Sequence, residues 1–160
     1  VGLGVDARGL PTDARRGLLL AALIGIPGLG LYLAARALGV NTSIAAANLA
    51  GAWWTVPVLI LAAAQNAALE EVLVVGYLLT RARQLGWSLP VAIGVSAALR
   101  GSYHLYQGFG GFVGNLAMGG VFALAYRRWG RVGPLVVAHT VLDVVAFVGY
   151  SLLRGKVGWL

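Results

Sequence analysis

The chain has 160 residues, of which 59% are hydrophobic and only 11% are charged. A soluble domain carries about 25% charged residues, so this composition excludes an ordinary soluble protein and indicates a single integral membrane domain over residues 1–160. The net charge of +7 does not indicate nucleic-acid binding, because the arginines form no continuous basic face with interleaved aromatic residues. The absence of cysteine excludes thiol catalysis, disulfides and cysteine metal sites.

Hydropathy predicts helices that cross the membrane. A transmembrane helix needs about 20 mainly apolar residues, and five apolar stretches follow one another along the chain. The predicted spans are residues 17–38, 53–80, 89–106, 112–126 and 132–153. A kink is expected in the first span at Gly25-Ile26-Pro27-Gly28. The sequence therefore predicts an all-α, polytopic membrane bundle of about five transmembrane helices.

The distribution of basic residues predicts the orientation of these helices. If the chain crosses at every span, one side receives Arg8, Arg15, Arg16, Arg81, Arg83, Arg127, Arg128 and Arg131, and the other receives Arg36, Arg154 and Lys156. Basic residues concentrate in cytoplasmic loops, so the N-terminus is expected in the cytoplasm. Lys156 is the single lysine, and such arginine bias is typical of GC-rich codon usage, which favours a bacterial plasma membrane.

Five acidic residues or histidines lie inside the predicted helices: Glu70, Glu71, His104, His139 and Asp143. Such a group costs roughly 2.5–3.5 kcal/mol in the hydrocarbon region on insertion scales. Glutamate, histidine and aspartate are also the side chains that activate water or hold a metal. An active site within the membrane is the resulting prediction.

Each of these residues also has a structural interpretation. Glu70 and Glu71 point about 100° apart on a helix, so one could act as a base while the other pairs with a polar group elsewhere. His139 and Asp143 share a helix face and could simply join two helices. His104 alone could be a hydrogen-bonded structural group, and either glutamate could form a structural ion pair with an arginine.

Several types of hydrolytic site are absent from the sequence. The zinc-protease pattern H-E-x-x-H and the nucleophile elbow G-x-S-x-G do not occur, and Ser96 and Ser102 lack a recognisable base arrangement. Hydrolysis by activated water remains. Zinc held by glutamate and two histidines is an alternative that the residue types leave open.

Three short segments resemble the motifs of the CPBP intramembrane proteases. Residues 70–79 are similar to the first motif, E-E-x-x-x-R-G-x-L. Residues 100–104 correspond to the second, F-x-x-x-H, and residues 139–143 to the third, H-x-x-x-[ND]. Order and spacing agree over about residues 65–148, roughly half of the chain. The family includes the eukaryotic CAAX prenyl endopeptidases and bacterial bacteriocin-processing or self-immunity proteins.

The resemblance implies an intramembrane endopeptidase whose catalytic residues are Glu70, Glu71, His104, His139 and Asp143. Glu70 with His104 would activate water, and His139 with Asp143 would hold the oxyanion or orient the tetrahedral intermediate. No cofactor or metal would be needed. The expected partners are the lipid bilayer and a membrane-embedded or membrane-associated peptide or protein substrate, with no nucleic acid; a membrane-protein partner stays open.

Two positions depart from the family motifs. Val75 stands where the first motif has arginine, and Arg100 stands where the second has phenylalanine. Arg100 could supply the missing charge to Glu71 from the next helix. The alternative is a degenerate site in a non-catalytic membrane subunit or a bacteriocin-immunity homologue that binds a partner.

The simple topology contains a conflict of depth. It places His104 toward the outer end of its helix and His139 toward the inner end of its own. A common site requires a broken or tilted helix, or a re-entrant turn over residues 107–111.

Overall fold

The computed structural model describes residues 3–4, 6–40 and 52–153, and the regular structure in these ranges is helical, without a strand. The helices are α1 (Leu10–Ala37), α2 (Thr55–Glu70), α3 (Leu78–Gln84), α4 (Leu89–Tyr103), α5 (Phe109–Trp129) and α6 (Gly133–Leu153). A π-helical segment, Glu71–Tyr77, joins α2 to α3 as one continuous rod. The predicted all-α bundle is confirmed for the described residues.

Four of the described helical stretches are long and apolar enough to cross a membrane: Ala7–Ala37, Thr55–Gln84, Phe109–Trp129 and Gly133–Tyr150. The remaining helix, α4, has 15 residues, which span about 22 Å at 1.5 Å per residue. The hydrocarbon core is about 30 Å thick, so α4 by itself is shorter than that thickness. The third predicted span, residues 89–106, is therefore shorter in the structure.

Helix α1 begins earlier than the sequence predicted. It starts at Leu10 rather than near residue 17, with Pro11 and Asp13 in its first turn. Proline fits the first turn because its missing N–H is unpaired there anyway, and an acidic residue complements the helix dipole. The helix also continues through Pro27, where the sequence predicted a kink, as one element to Ala37.

Small residues allow the helices to approach closely, as expected in a membrane bundle. Helix α6 packs against α1 and α2, and α4 packs against α5. A Cβ on Gly17 would lie 2.5 Å from Val137 Cβ, and a Cβ on Gly119 would lie 3.0 Å from Ala97 Cα. Both distances are too short for a side chain, so glycine sets the spacing of these two helix pairs.

The N-terminal segment is attached to the turn between α5 and α6. Arg131 donates to both Asp13 oxygens, through Nε at 2.8 Å and Nη2 at 2.9 Å, and to Asp6 Oδ2 through Nη1 at 2.7 Å. The backbone N–H of Val132 donates to the carbonyl of Leu3. The hydrogen bond from Arg131 holds the pKa of Asp6 below its ordinary value of 3.8. Both N-terminal aspartates therefore hold the N-terminal segment to Arg131.

Candidate active site

The innermost part of the polar cluster is an ion-pair network on three rods. Glu71 begins the π-helical segment, and its Oε1 accepts a hydrogen bond from Arg100 Nη2 at 2.5 Å and lies 2.7 Å from His139 Nδ1. Glu71 and Arg100 are completely buried, and His139 is 3% exposed. The Arg100 guanidinium also lies over the ring of Phe122, at 5.3 Å from the centroid. Glu71 therefore neutralises a buried arginine and binds α6 through His139.

Glu70 has different surroundings from its neighbour. Its Oε1 accepts from Asn66 Nδ2 at 3.0 Å and its Oε2 accepts from the Tyr103 hydroxyl at 2.6 Å. Arg100 Nη2 lies 4.0 Å from the same Oε2. The Glu70 side chain is 15% exposed, whereas that of Glu71 is fully buried. Of the two glutamates, Glu70 is the one that a water molecule can reach.

Asp143 lies between the two histidine-bearing parts of the cluster. Its Oδ2 is 3.6 Å from His139 Nε2, one helical turn earlier on α6, and 3.5 Å from Asn66 Nδ2. Because the amide of Asn66 bonds Glu70 as well, it connects the carboxylate of α2 to that of α6. The Asp143 side chain is 19% exposed.

His104 caps the end of α4. Its Nδ1 is 2.9 Å from the carbonyl oxygen of Arg100, and its ring centroid is 4.7 Å from that of Tyr103. A carbonyl only accepts, so Nδ1 of His104 carries a proton, and in the neutral ring Nε2 is then an acceptor.

Contacts at the end of α4 bring the two histidines into one cluster, although the simple topology placed them at different depths. Gly108 has φ 92°, a conformation that favours glycine, and it turns the chain into α5 directly after the short 3-10 turn Leu105–Gln107. The last turn of α4 therefore lies inside the bundle. Arg100 connects the two histidines, because its carbonyl bonds His104 while its guanidinium shares the Glu71 oxygen with His139.

The π-helical segment places the two glutamates at a change of helical geometry. Single π turns are rare and occur frequently at functional sites. Here the Ser96 hydroxyl of α4 donates to the carbonyl of Val74 inside the segment, at 2.7 Å. This contact attaches the segment to the helix that carries Arg100 and Tyr103.

Three buried side-chain atoms at the centre of the cluster have no hydrogen-bond partner among the described residues. They are Glu71 Oε2 and the Arg100 atoms Nε and Nη1. An unmet buried polar group costs about 1–3 kcal/mol, more when it is charged. The described residues contain no group of three or more His, Cys, Asp or Glu side chains arranged to hold a metal ion.

The structure connects all five predicted site residues through contacts on α2, the π segment, α4 and α6. It adds two that the sequence analysis missed, Asn66 and Tyr103, both bonded to Glu70. Asn66 could have been noticed as a polar residue one turn before Glu70, since residues four apart share a helix face. Tyr103 gave no such signal, because an aromatic residue near a helix end is ordinary in a membrane protein.

Comparison with known families adds a finding of a different kind. A family model described as Type II CAAX prenyl endopeptidase Rce1-like matches residues 52–145, more than half of the chain. The matched region contains every residue of the cluster described above. Comparisons with curated proteins and with solved structures gave no match.

Proposed function

Because the chain belongs to the Type II CAAX prenyl endopeptidase Rce1-like family, we propose that it is an intramembrane endopeptidase in which Glu70 and His104 activate water. The observation that carries the proposal is the difference between the adjacent glutamates. Glu71 is buried in an ion pair, whereas Glu70 is partly exposed and its hydrogen-bond donors among the described residues are neutral, with Arg100 at 4.0 Å. A carboxylate that is accessible and not neutralised can accept a proton from water.

The first chemical step uses Glu70 and His104. Glu70 takes a proton from the attacking water, whose oxygen bonds to the peptide carbonyl carbon, and later returns that proton to the leaving amine. His104 presents Nε2 as an acceptor, since its Nδ1–H is directed at the Arg100 carbonyl. An acceptor of this kind orients the second proton of the same water.

His139 and Asp143 are assigned to the tetrahedral intermediate. Glu71 accepts from His139 Nδ1, so Nε2 of a neutral ring would be an acceptor that faces the Asp143 carboxylate at 3.6 Å. Two acceptors repel, and the pair becomes favourable when it holds one more proton. That proton is the donor available to the oxyanion, and such donors typically contribute a large part of catalysis.

Arg100 bears on the alternative of a degenerate site. That alternative depended on Val75, which replaces the arginine of the first motif and is fully buried in the apolar core. Arg100 reaches Glu71 from α4 instead. The carboxylate therefore has a cationic partner, and the loss of the motif arginine is no longer an argument for an inactive homologue.

We propose that the reaction needs no metal. A cation bound by Glu71 and His139 would lie beside the buried Arg100 guanidinium, and like charges repel strongly where water is excluded. Cleavage should therefore continue in EDTA or phenanthroline.

We place the protein in a bacterial plasma membrane with its N-terminus in the cytoplasm, on the distribution of its arginines. Its substrate would be a membrane-embedded or membrane-associated peptide or protein.

The proposal is tested with purified protein in liposomes and a quenched-fluorescent peptide that ends in a farnesylated C-a-a-X sequence, the substrate class in the family's name. An unprenylated copy of the peptide measures the contribution of the lipid. Glu70→Gln should lower the rate by at least ~10²-fold, the low end for loss of a general base. Asp6→Asn, the same chemical change at the N-terminal attachment, should cleave like the wild type. Cleavage by Glu70→Gln at the normal rate, or a wild type that cleaves neither peptide, would overturn the proposal.

A further inference from the structure

We infer that Tyr103 and Asn66 are positioning residues, which hold the Glu70 carboxylate in place and keep it from pairing with Arg100. The inference rests on the proposed role of Glu70 as the base. It concerns two side chains that none of the three motifs specifies, since Tyr103 occupies an unspecified position of the second motif and Asn66 precedes the first.

The Glu70 carboxylate is held through both of its oxygens. Each oxygen has one donor: Asn66 Nδ2 at Oε1 and the Tyr103 hydroxyl at Oε2. Two donors from different helices fix the plane of the carboxylate. An ionised carboxylate has about four lone-pair sites, so acceptor capacity remains for a water molecule.

Arg100 is a competing partner for the Glu70 carboxylate. Arg100 Nη2 lies 4.0 Å from Glu70 Oε2, and Arg100 Nε and Nη1 have no partner among the described residues. A buried guanidinium with unused donors attracts a nearby carboxylate and binds it through two charge-assisted hydrogen bonds. Glu70 in such a pair would be a poor proton acceptor. Tyr103 opposes this because its 2.6 Å bond holds Oε2, which remains 4.0 Å from Arg100 Nη2, beyond hydrogen-bonding distance.

A nearby tyrosine supplies a matched control. Tyr103 ends α4, whereas Tyr106 lies in the 3-10 turn Leu105–Gln107, where its hydroxyl accepts from Gln107 Nε2 at 3.0 Å. Removal of either hydroxyl deletes the same atom from the same residue type, and only Tyr103 bonds Glu70.

The test compares kcat, KM and melting temperature for Tyr103→Phe, Asn66→Leu and Tyr106→Phe on the farnesylated peptide. A small displacement of a catalytic group costs up to about 100-fold, so kcat of Tyr103→Phe should fall about 10- to 100-fold. Its KM should stay within about twofold, since ground-state binding is untouched. Its melting temperature should not fall, because Glu70 gains Arg100 as a partner. Tyr106→Phe should retain the wild-type kcat.

The outcomes separate this inference from the proposed function. A kcat of Tyr103→Phe equal to that of Tyr106→Phe, while Glu70→Gln is inactive, would overturn the positioning role alone. Activity of Glu70→Gln would overturn the proposed function and this inference together. If Tyr103→Phe fails to fold, the same kcat comparison with Asn66→Leu decides.

Discussion

Glu70 and Glu71 are neighbours in the chain, yet their carboxylates meet different helices. Glu70 receives neutral donors from Asn66 and Tyr103 and remains partly exposed, whereas Glu71 is enclosed by Arg100 and His139. A helix turns about 100° per residue, which is enough to separate an accessible base from a buried counter-ion. Adjacent acidic residues can therefore have unrelated roles.

An arginine at position 75 should be able to replace Arg100 as the counter-ion of Glu71. Arg100→Phe leaves Glu71 without its cation, and the loss of one partner of a buried pair costs about 3–5 kcal/mol. The double variant Val75→Arg, Arg100→Phe restores an arginine one turn from Glu71 on the same rod. We expect the double variant to melt above Arg100→Phe, as measured by thermal unfolding in detergent.

Val75→Arg alone is the control for that exchange. It places a second buried arginine beside one glutamate, so it should melt below the wild type. If the double variant melts no higher than Arg100→Phe, Arg100 does not stand in for the arginine of the first motif.

At the scale of elements, two irregularities assemble the site: α4 ends at Tyr103, and the rod that contains α2 changes to π geometry at Glu71. The early end of α4 brings a helix terminus into the bundle. The π turn is attached to that same helix by the bond from Ser96 to Val74. The position of the glutamates therefore depends on this contact as well as on the Arg100–Glu71 bond between α4 and the π segment.

Two serines of α4 provide a test of that contact. Ser96 is fully buried and donates across to Val74, whereas Ser102 is exposed and donates to Ala98 of its own helix. Ser96→Ala should destabilise by about 0.5–1.5 kcal/mol, because it removes a hydrogen bond between α4 and the π segment. Ser102→Ala should change stability by less than about 0.5 kcal/mol. Equal shifts in melting temperature for the two variants would show that the contact does not matter.

At the scale of the whole molecule, hydropathy predicted much of the fold and little of the relative depth of its parts. The all-α bundle follows from apolar stretches separated by polar turns. Hydropathy did not reveal the end of α4, because Leu105, Tyr106 and Phe109 continue the apolar pattern through a turn that Gly108 produces. A π turn has no composition of its own, since it differs from an α-helix in its hydrogen bonds alone.

The candidate site shows the same limit. Ionisable residues in apolar sequence identified Glu70, Glu71, His104, His139 and Asp143, because their cost in a membrane demands a reason. The pairing of Arg100 with Glu71 was anticipated as one alternative. The bonds of Asn66 and Tyr103 to Glu70 depend on three-dimensional placement that spacing along the chain does not specify.

The attachment of the N-terminal segment should depend on pH through Asp6. Its hydrogen bond from Arg131 lowers the pKa of Asp6 below 3.8 in the folded protein, so the bond stabilises the fold when the carboxyl is ionised. That contribution is complete above the ordinary pKa and is lost as pH falls through the folded pKa. The wild type and Asp6→Asn should therefore differ in melting temperature at pH 7. This difference should disappear as the pH falls below 3.8. A difference that persists unchanged to pH 2 would contradict this origin.

The most direct test of the central claim is a paired measurement of peptide cleavage and melting temperature on Glu70→Gln and Glu71→Gln. If Glu70 is the base, Glu70→Gln loses at least ~10²-fold in rate and melts close to the wild type. Glu71→Gln leaves the Arg100 charge without its partner, and the loss of a buried partner costs about 3–5 kcal/mol, so this variant melts clearly lower. A normal rate with a lowered melting temperature for Glu70→Gln would contradict the account.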